Sequence, residues 1–348
     1  MTPDGIRTRL VATDRADTFV RHDGRTDGEV VVLVHGNISS SVFWEDTLLA
    51  LPEGFRGLAP DLRGYGDTEP LAVDATRGLR DFSDDLAAVL DALGLDRVHL
   101  AGWSMGGGVV LQHLLDHPER VASLTLVNPV SPYGFGGTRD VDGTLVSPDG
   151  AGSGGGAVNP EFVKRLADQD AEGTDAVSPR GVMRAFYFAP GPPHPREDDF
   201  VASMLSTRIG DDHYPGDSRA SDAWPNVAPG DRGILNTMAA THCDLTGIVD
   251  VSPKPPVLWV RGSDDQIVSD ASMLDLATLG RLGAVPGWPG EEQCPPQPMV
   301  AQTRAVLDRY AAAGGRYDEV VVEGAGHSPH VERPEEFREA LLGFLSRR

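Results

Sequence analysis

Between Glu29 and Asn128, short runs of aliphatic and β-branched residues alternate with longer segments in which apolar residues recur every three or four positions. The short runs predict strands over 30–34, 56–60, 97–101 and 121–127. The longer ones predict helices. Over 82–93, Leu86, Val89, Leu90 and Leu93 fall on one helical face, and over 107–117 Val110, Leu111 and Leu114 do the same. Strand and helix alternating in this way form βαβ units, so the fold class is α/β: a mostly parallel sheet flanked by helices.

The periodicity stops after Pro129. A glycine-rich stretch at 133–137 and another at 150–156 are followed by helical pieces around 160–168 and 182–188. Sheet character returns at 257–260, with a helix from about Asp270, a proline-rich excursion at 285–298, a helix over 299–313, a strand over 318–322 and a closing helix from Pro334. A structureless loop of some 120 residues is improbable inside a compact domain, so 131–251 reads as a cap inserted into a core made of 1–130 and 252–348. The glycine runs are expected to form its mobile edge, and Phe186, Tyr187 and Phe188 are candidates to line a pocket beneath it, with packing inside the cap as the favoured alternative for any one of them.

Charge narrows the partners. The formal net charge of −22 repels phosphate backbones and anionic bilayers, so neither nucleic acid nor a membrane surface is an expected partner. The two cysteines, Cys243 and Cys294, are too few for a disulfide framework or a metal centre. The first 20 residues carry charges throughout and lack an apolar leader core, so a cytoplasmic location is the expectation.

The chemistry concentrates in two short motifs. Gly102-Trp103-Ser104-Met105-Gly106 sits between a strand and a helix, the setting of a nucleophile elbow in which small residues let strand and helix close around a strained, exposed serine. Gly324-Ala325-Gly326-His327 follows the last strand, and a neutral imidazole there can take the serine proton and return it to a leaving group.

With these motifs the chain resembles the α/β-hydrolase family, serine esterases in particular, over nearly all of its length outside the insertion. Further motifs stand in the family's order: His35-Gly36-Asn37 after the strand 30–34 and Asp61-Leu62-Arg63-Gly64-Tyr65-Gly66 after the next. The resemblance implies that Ser104 is the nucleophile and His327 the base, with the backbone N–H groups of Asn37 and Met105 receiving the oxyanion. His35 reads as a packing and hydrogen-bonding residue, since Gly36-Asn37 already supply the backbone the chemistry needs, and His330 as one that shapes the pocket or caps the helix. For the acid it favours Asp265, which lies three residues after Gly262 and two and three before Ile267 and Val268, over its neighbour Asp264. The other position the family uses, after the preceding strand, holds Asn128-Pro129 and has no carboxylate.

The implied activity is hydrolysis of a carboxylic ester or lactone through an acyl-enzyme, with a small molecule as substrate and no cofactor or metal. Carbon–carbon bond hydrolysis and cofactor-free haloperoxidase or perhydrolase chemistry use the same machinery. A non-enzymatic receptor on a hydrolase scaffold is the alternative of another class. Haloalkane dehalogenases and epoxide hydrolases carry an aspartate where this chain has Ser104, which separates it from both.

Overall fold

The computed structural model describes residues 3–347. Its centre is an eight-stranded sheet of β1 (Arg7–Ala12), β2 (Asp17–His22), β3 (Glu29–Val34), β4 (Phe55–Pro60), β5 (Val98–Trp103), β6 (Val121–Val127), β7 (Val257–Gly262) and β8 (Tyr317–Val322). The spatial order is β1-β2-β4-β3-β5-β6-β7-β8, with β2 antiparallel to both of its neighbours, β1 and β4, and every other pair parallel. Strands covered on both faces need continuous apolar sequence, and β3, apolar and buried from Val30 to Val34, supplies it.

The strand order fixes where the helices go. From β3 the chain steps one way to β4 and from β4 it steps back across β3 to β5, so right-handed crossovers put the two connections on opposite faces. Accordingly α2 (Arg80–Ala92) and α3 (Met105–Asp116) pack on each other, with α3 against β5, while α1 (Glu45–Ala50) packs on β4 and meets the closing helix α10 (Pro334–Leu345). The direction reverses between β3 and β5. Loops leaving the carboxyl ends of two such strands diverge and leave a crevice, the usual ligand position in an open α/β sheet. Asn37 follows β3 and Ser104 follows β5, one on each side of it.

Residues 131–251 leave the sheet after β6 and return at β7. They contain α4 (Pro160–Ala167), α5 (Pro179–Val182), a π-turn at Met183–Tyr187, α6 (Glu197–Leu205) and three pairs of two- and three-residue strands. The glycine runs are not a mobile edge. Residues 150–155 are buried, Gly152 N donates to Val227 O at 3.0 Å, and Gly155 N donates to Asn236 Oδ1 at 2.8 Å. At Gly154, with φ +74°, a Cβ would stand 2.3 Å from that same Asn236 oxygen. Glycine is there for close approach, not for freedom.

The insertion is bonded to the core along its length. Arg196, at the N-cap of α6, reaches the buried Glu45 of α1, which also takes Arg21 of β2 at 2.9 Å. Arg208 N donates to Gly64 O at 2.8 Å, and the hydroxyls of Ser40 and Ser203 meet at 2.7 Å.

Two further differences from the sequence reading have local causes. The hairpin β1–β2 escapes the pattern because β1 lies at the sheet edge with only Val11 buried, leaving no alternation to read. No helix starts at Asp270. Its carboxylate instead accepts Val300 N and Ala301 N at 2.8 and 3.0 Å in the first turn of α8 (Met299–Ala312), and the helix α7 (Leu276–Arg281) begins later, capped by Asp275. No helix among the described residues is long and apolar enough to cross a membrane.

Candidate active site

Ser104 has φ +56° and ψ −122°, an unfavourable conformation for a residue with a side chain, and the packing around it enforces the strain. A Cβ on Gly102 would lie 2.2 Å from Gly106 O, and one on Gly106 would lie 2.3 Å from Val34 O. Strand β5, helix α3 and the end of β3 are therefore in backbone contact around the turn. Gly36 closes the third side, where a Cβ would meet Ser104 Cβ at 2.9 Å. The N–H groups of Asn37 and Met105, flanking the serine, donate to no acceptor among the described residues.

His327 is buried, and its Nδ1 donates to Asp265 Oδ2 at 2.9 Å. The other oxygen of Asp265 accepts Ile267 N at 2.8 Å and Val268 N at 3.1 Å. Asp264 points away: it is exposed and accepts the neighbouring Ser263 hydroxyl. His327 Nε2 forms no hydrogen bond among the described residues, and His327 and Ser104 line one cavity of about 380 Å³. Phe186 and Tyr187 also line it. Phe188 does not; it packs against His194 and Phe200.

The two remaining histidines of the motifs are structural. His35 accepts Leu62 N at Nε2 (2.9 Å) and donates from Nδ1 to Gly36 O (2.8 Å), and burial pushes its pKa down to about 4. His330 lies between Trp44 and Trp103 with ring centroids 4.2 and 5.0 Å away, so it packs beneath the site instead of lining the cavity. Burial holds it neutral, well below the ordinary histidine range, with His327 as a second cause.

Three residues hold positioning roles that the sequence reading did not give them. Asn128, seen only as a place without a carboxylate, bridges β7 to the histidine loop: Oδ1 accepts Gly262 N at 3.1 Å, and Nδ2 donates to Gly326 O and His327 O at 3.0 and 2.9 Å. Glu332 accepts Gly326 N at 2.8 Å and Ser328 N at 3.3 Å through one oxygen, and Ala189 N from the insertion at 2.6 Å through the other. Tyr187 has its hydroxyl 3.1 Å from the carbonyl oxygens of both Asn37 and Ile38. It steadies a loop in which Ile38, β-branched, sits at φ +48°. A side-chain amide, a helical glutamate and one tyrosine among several carry no spacing signal that could have shown these roles.

Glu332 thus joins the insertion to the loop that carries His327. Replacing it with glutamine leaves one oxygen to accept but turns the other position into a donor facing an N–H, so one arm of the bridge is lost. Glu332→Gln is expected to lower kcat roughly tenfold, about 1.4 kcal/mol in the barrier, with a smaller change in KM. Steady-state kinetics on the variant check this, and an effect on KM alone would place Glu332 in binding instead.

Among known proteins, a model of the alpha/beta hydrolase fold family matches residues 29–292. Carboxylesterase YbfK of Bacillus subtilis (strain 168) is 34% identical over 124 residues, covering 35% of this chain and 41% of that one. Epoxide hydrolase A of Mycobacterium tuberculosis is 28% identical over 365 aligned residues, covering 97% of both chains. The chain spans about half the length, 41% to 48%, of three other matches counted with YbfK among the curated relatives. In structure, the esterase RhEst1 from Rhodococcus sp. ECU1013 superposes with a TM-score of 0.59 at 22% identity, covering 99% of each chain. With its sheet order, its strained serine turn and a family match across three quarters of its length, the chain belongs to the α/β-hydrolase fold family.

Proposed function

We propose that the protein is a serine hydrolase that cleaves a carboxylic ester or lactone through an acyl-enzyme, with 131–251 acting as a cap over the site. Ser104 Oγ attacks the carbonyl carbon while His327 Nε2 takes its proton, and Asp265 stabilises the imidazolium that forms. The N–H groups of Asn37 and Met105 receive the charge that gathers on the carbonyl oxygen. On collapse of the intermediate, the carbon–oxygen bond to the leaving alcohol breaks and Nε2 returns the proton to it. Water then repeats the sequence against the acyl-enzyme, releasing the acid and restoring Ser104.

The observation that carries this reading is the Asp265–His327 hydrogen bond at 2.9 Å beside a strained serine in a shared cavity, with two unpaired N–H groups next to that serine. Catalytic hydrogen bonds often tighten only when substrate binds, so an open Ser104–His327 contact is compatible with it. Burst release from an activated aryl ester tests it. One equivalent of phenol per enzyme before the steady state supports the acyl-enzyme, and the absence both of a burst and of acyl transfer to added hydroxylamine, with turnover intact, would point to direct attack by water.

The likeness to an epoxide hydrolase over 97% of the chain raises a second reading. It founders on Ser104. Opening an epoxide on a carboxylate leaves an ester that water can cleave at its carbonyl, whereas opening it on a serine would leave an ether with no carbonyl to attack. The carboxylesterase relative fits the residue present.

A further inference from the structure

The cavity is lined by 26 residues, and none of them is Asp, Glu, Lys or Arg. In a chain with 82 such residues, 30 basic and 52 acidic, their exclusion from the site limits what can enter. Most of its apolar walls come from two segments. Phe135, Phe162 and Met238 belong to the insertion, while Ile267, Met273 and Leu279 belong to the loop and helix after β7. A charged group brought inside would lose its hydration and find no counter-charge, a penalty of several kcal/mol.

The polar groups inside have different fates. Tyr187 is occupied with the carbonyls of Asn37 and Ile38, and the Tyr65 hydroxyl behind it donates to Asn37 Oδ1 at 2.5 Å. Asn159, at the exposed mouth, caps α4 by accepting Glu161 N. Tyr214 differs. The residue is 2% exposed and lines the cavity, yet its hydroxyl forms no hydrogen bond among the described residues. Nor is that oxygen among the atoms sealed from solvent without a partner, so the exposure it retains is toward the cavity. Its backbone is fixed by Tyr214 N donating to Arg208 O at 3.0 Å. Burial raises its pKa, and the nearby Tyr187 adds to that, so the hydroxyl stays protonated and available as a donor.

We propose that the substrate is an uncharged, mainly apolar ester or lactone carrying a second hydrogen-bond acceptor, such as an ether or carbonyl oxygen, and that Tyr214 donates to this acceptor. The proposal rests on the serine-hydrolase reading for the word ester, but its claim about the bound molecule is separate. A buried donor left unpaired disfavours a ligand that cannot meet it, so Tyr214 would act as a specificity residue.

The test compares p-nitrophenyl hexanoate, its analogues with an oxygen replacing each chain methylene beyond the α-carbon, and p-nitrophenyl hydrogen adipate as the anionic member. In the native protein at least one oxa-ester is expected to be preferred over the hydrocarbon ester relative to Tyr214→Phe, so that the ratio of their kcat/KM values falls roughly 10- to 100-fold in the variant. The adipate should be disfavoured by 100-fold or more in both proteins. An oxa-to-hydrocarbon ratio that Tyr214→Phe leaves unchanged for every analogue overturns the role of Tyr214, and efficient turnover of the adipate overturns the uncharged class. Calorimetric binding of the matching N-butyl amides of hexanoic acid and its oxa analogues to the Ser104→Ala protein, with and without Tyr214→Phe, separates the two claims. A loss of oxa preference in binding on Tyr214→Phe, together with a native protein that hydrolyses none of the esters, would uphold the ligand inference and reject the ester hydrolase; ester turnover by the native protein with no oxa preference in binding or turnover would reject the inference alone.

Discussion

Ser104→Ala and His327→Ala are each expected to lower kcat by roughly 10⁴ to 10⁶ on an activated ester, because nucleophile and base act as one unit and neither is useful alone. The fold should survive the serine change. Ser104 already holds its Cβ at φ +56°, and its hydroxyl makes no hydrogen bond among the described residues, so alanine removes one oxygen without new strain. His327→Ala strands Asp265 Oδ2, which loses its 2.9 Å partner, and should lower stability measurably while leaving the sheet intact. Circular dichroism and thermal unfolding alongside the kinetics separate the two effects. His330→Ala is the control: that ring fills space between Trp44 and Trp103, so its loss should appear in the melting temperature more than in kcat. Loss of kcat in the His330 variant equal to that in His327→Ala would exchange their roles.

The second large effect is expected at Asp265. In Asp265→Asn the amide can still satisfy Ile267 N and Val268 N only by turning its oxygen toward them, since both are donors. Its NH₂ then faces His327 Nδ1, which must become the acceptor, and the ring proton moves to Nε2. A histidine protonated there cannot take a proton from Ser104. The substitution therefore fixes the wrong tautomer while leaving the shape unchanged, and kcat should fall by roughly 10³ to 10⁴, about 4 to 5.5 kcal/mol in the barrier. Asp264→Asn, at an exposed side chain held by the adjacent Ser263, should cost less than about tenfold. Rates for the two variants at the same pH decide it, and a large loss confined to Asp264→Asn would move the acid by one residue.

Much of this site was legible in the chain because its determinants are local. A strand, a Gly-x-Ser-x-Gly turn and a helix are contiguous, so the close approach at Gly102 and Gly106 is written within five residues. The preference for Asp265 over Asp264 also rests on a local spacing, that of the family it resembles; in the structure the two backbone N–H groups that hold the Asp265 carboxylate belong to Ile267 and Val268. What stayed hidden depends on contacts between distant segments. Asn128 reaches the histidine loop 198 and 199 positions away, and Glu332 pairs with Ala189 across 143.

The glycine runs misled for a related reason. Glycine content reads as flexibility when neighbours are unknown, but Gly136 N donates to Gln297 Oε1 at 2.6 Å, 161 residues on, and Gln297 Nε2 returns to Gly134 O at 3.1 Å. The same glutamine ties the insertion to the segment before α8. Residues outside 131–251 therefore help roof the cavity, as Ile267, Met273 and Leu279 do. A boundary drawn from periodicity separates segments that packing brings together.

The central claim, that Ser104 is a nucleophile activated by the Asp265–His327 pair, is tested most directly by treating the protein with a fluorophosphonate and mapping the adduct by peptide mass spectrometry. The account predicts a single phosphonyl group on Ser104, formed quickly in the native protein, absent in Ser104→Ala and slowed by orders of magnitude in Asp265→Asn. An unlabelled Ser104 in a protein that still hydrolyses esters, or labelling at full rate in Asp265→Asn, would contradict it.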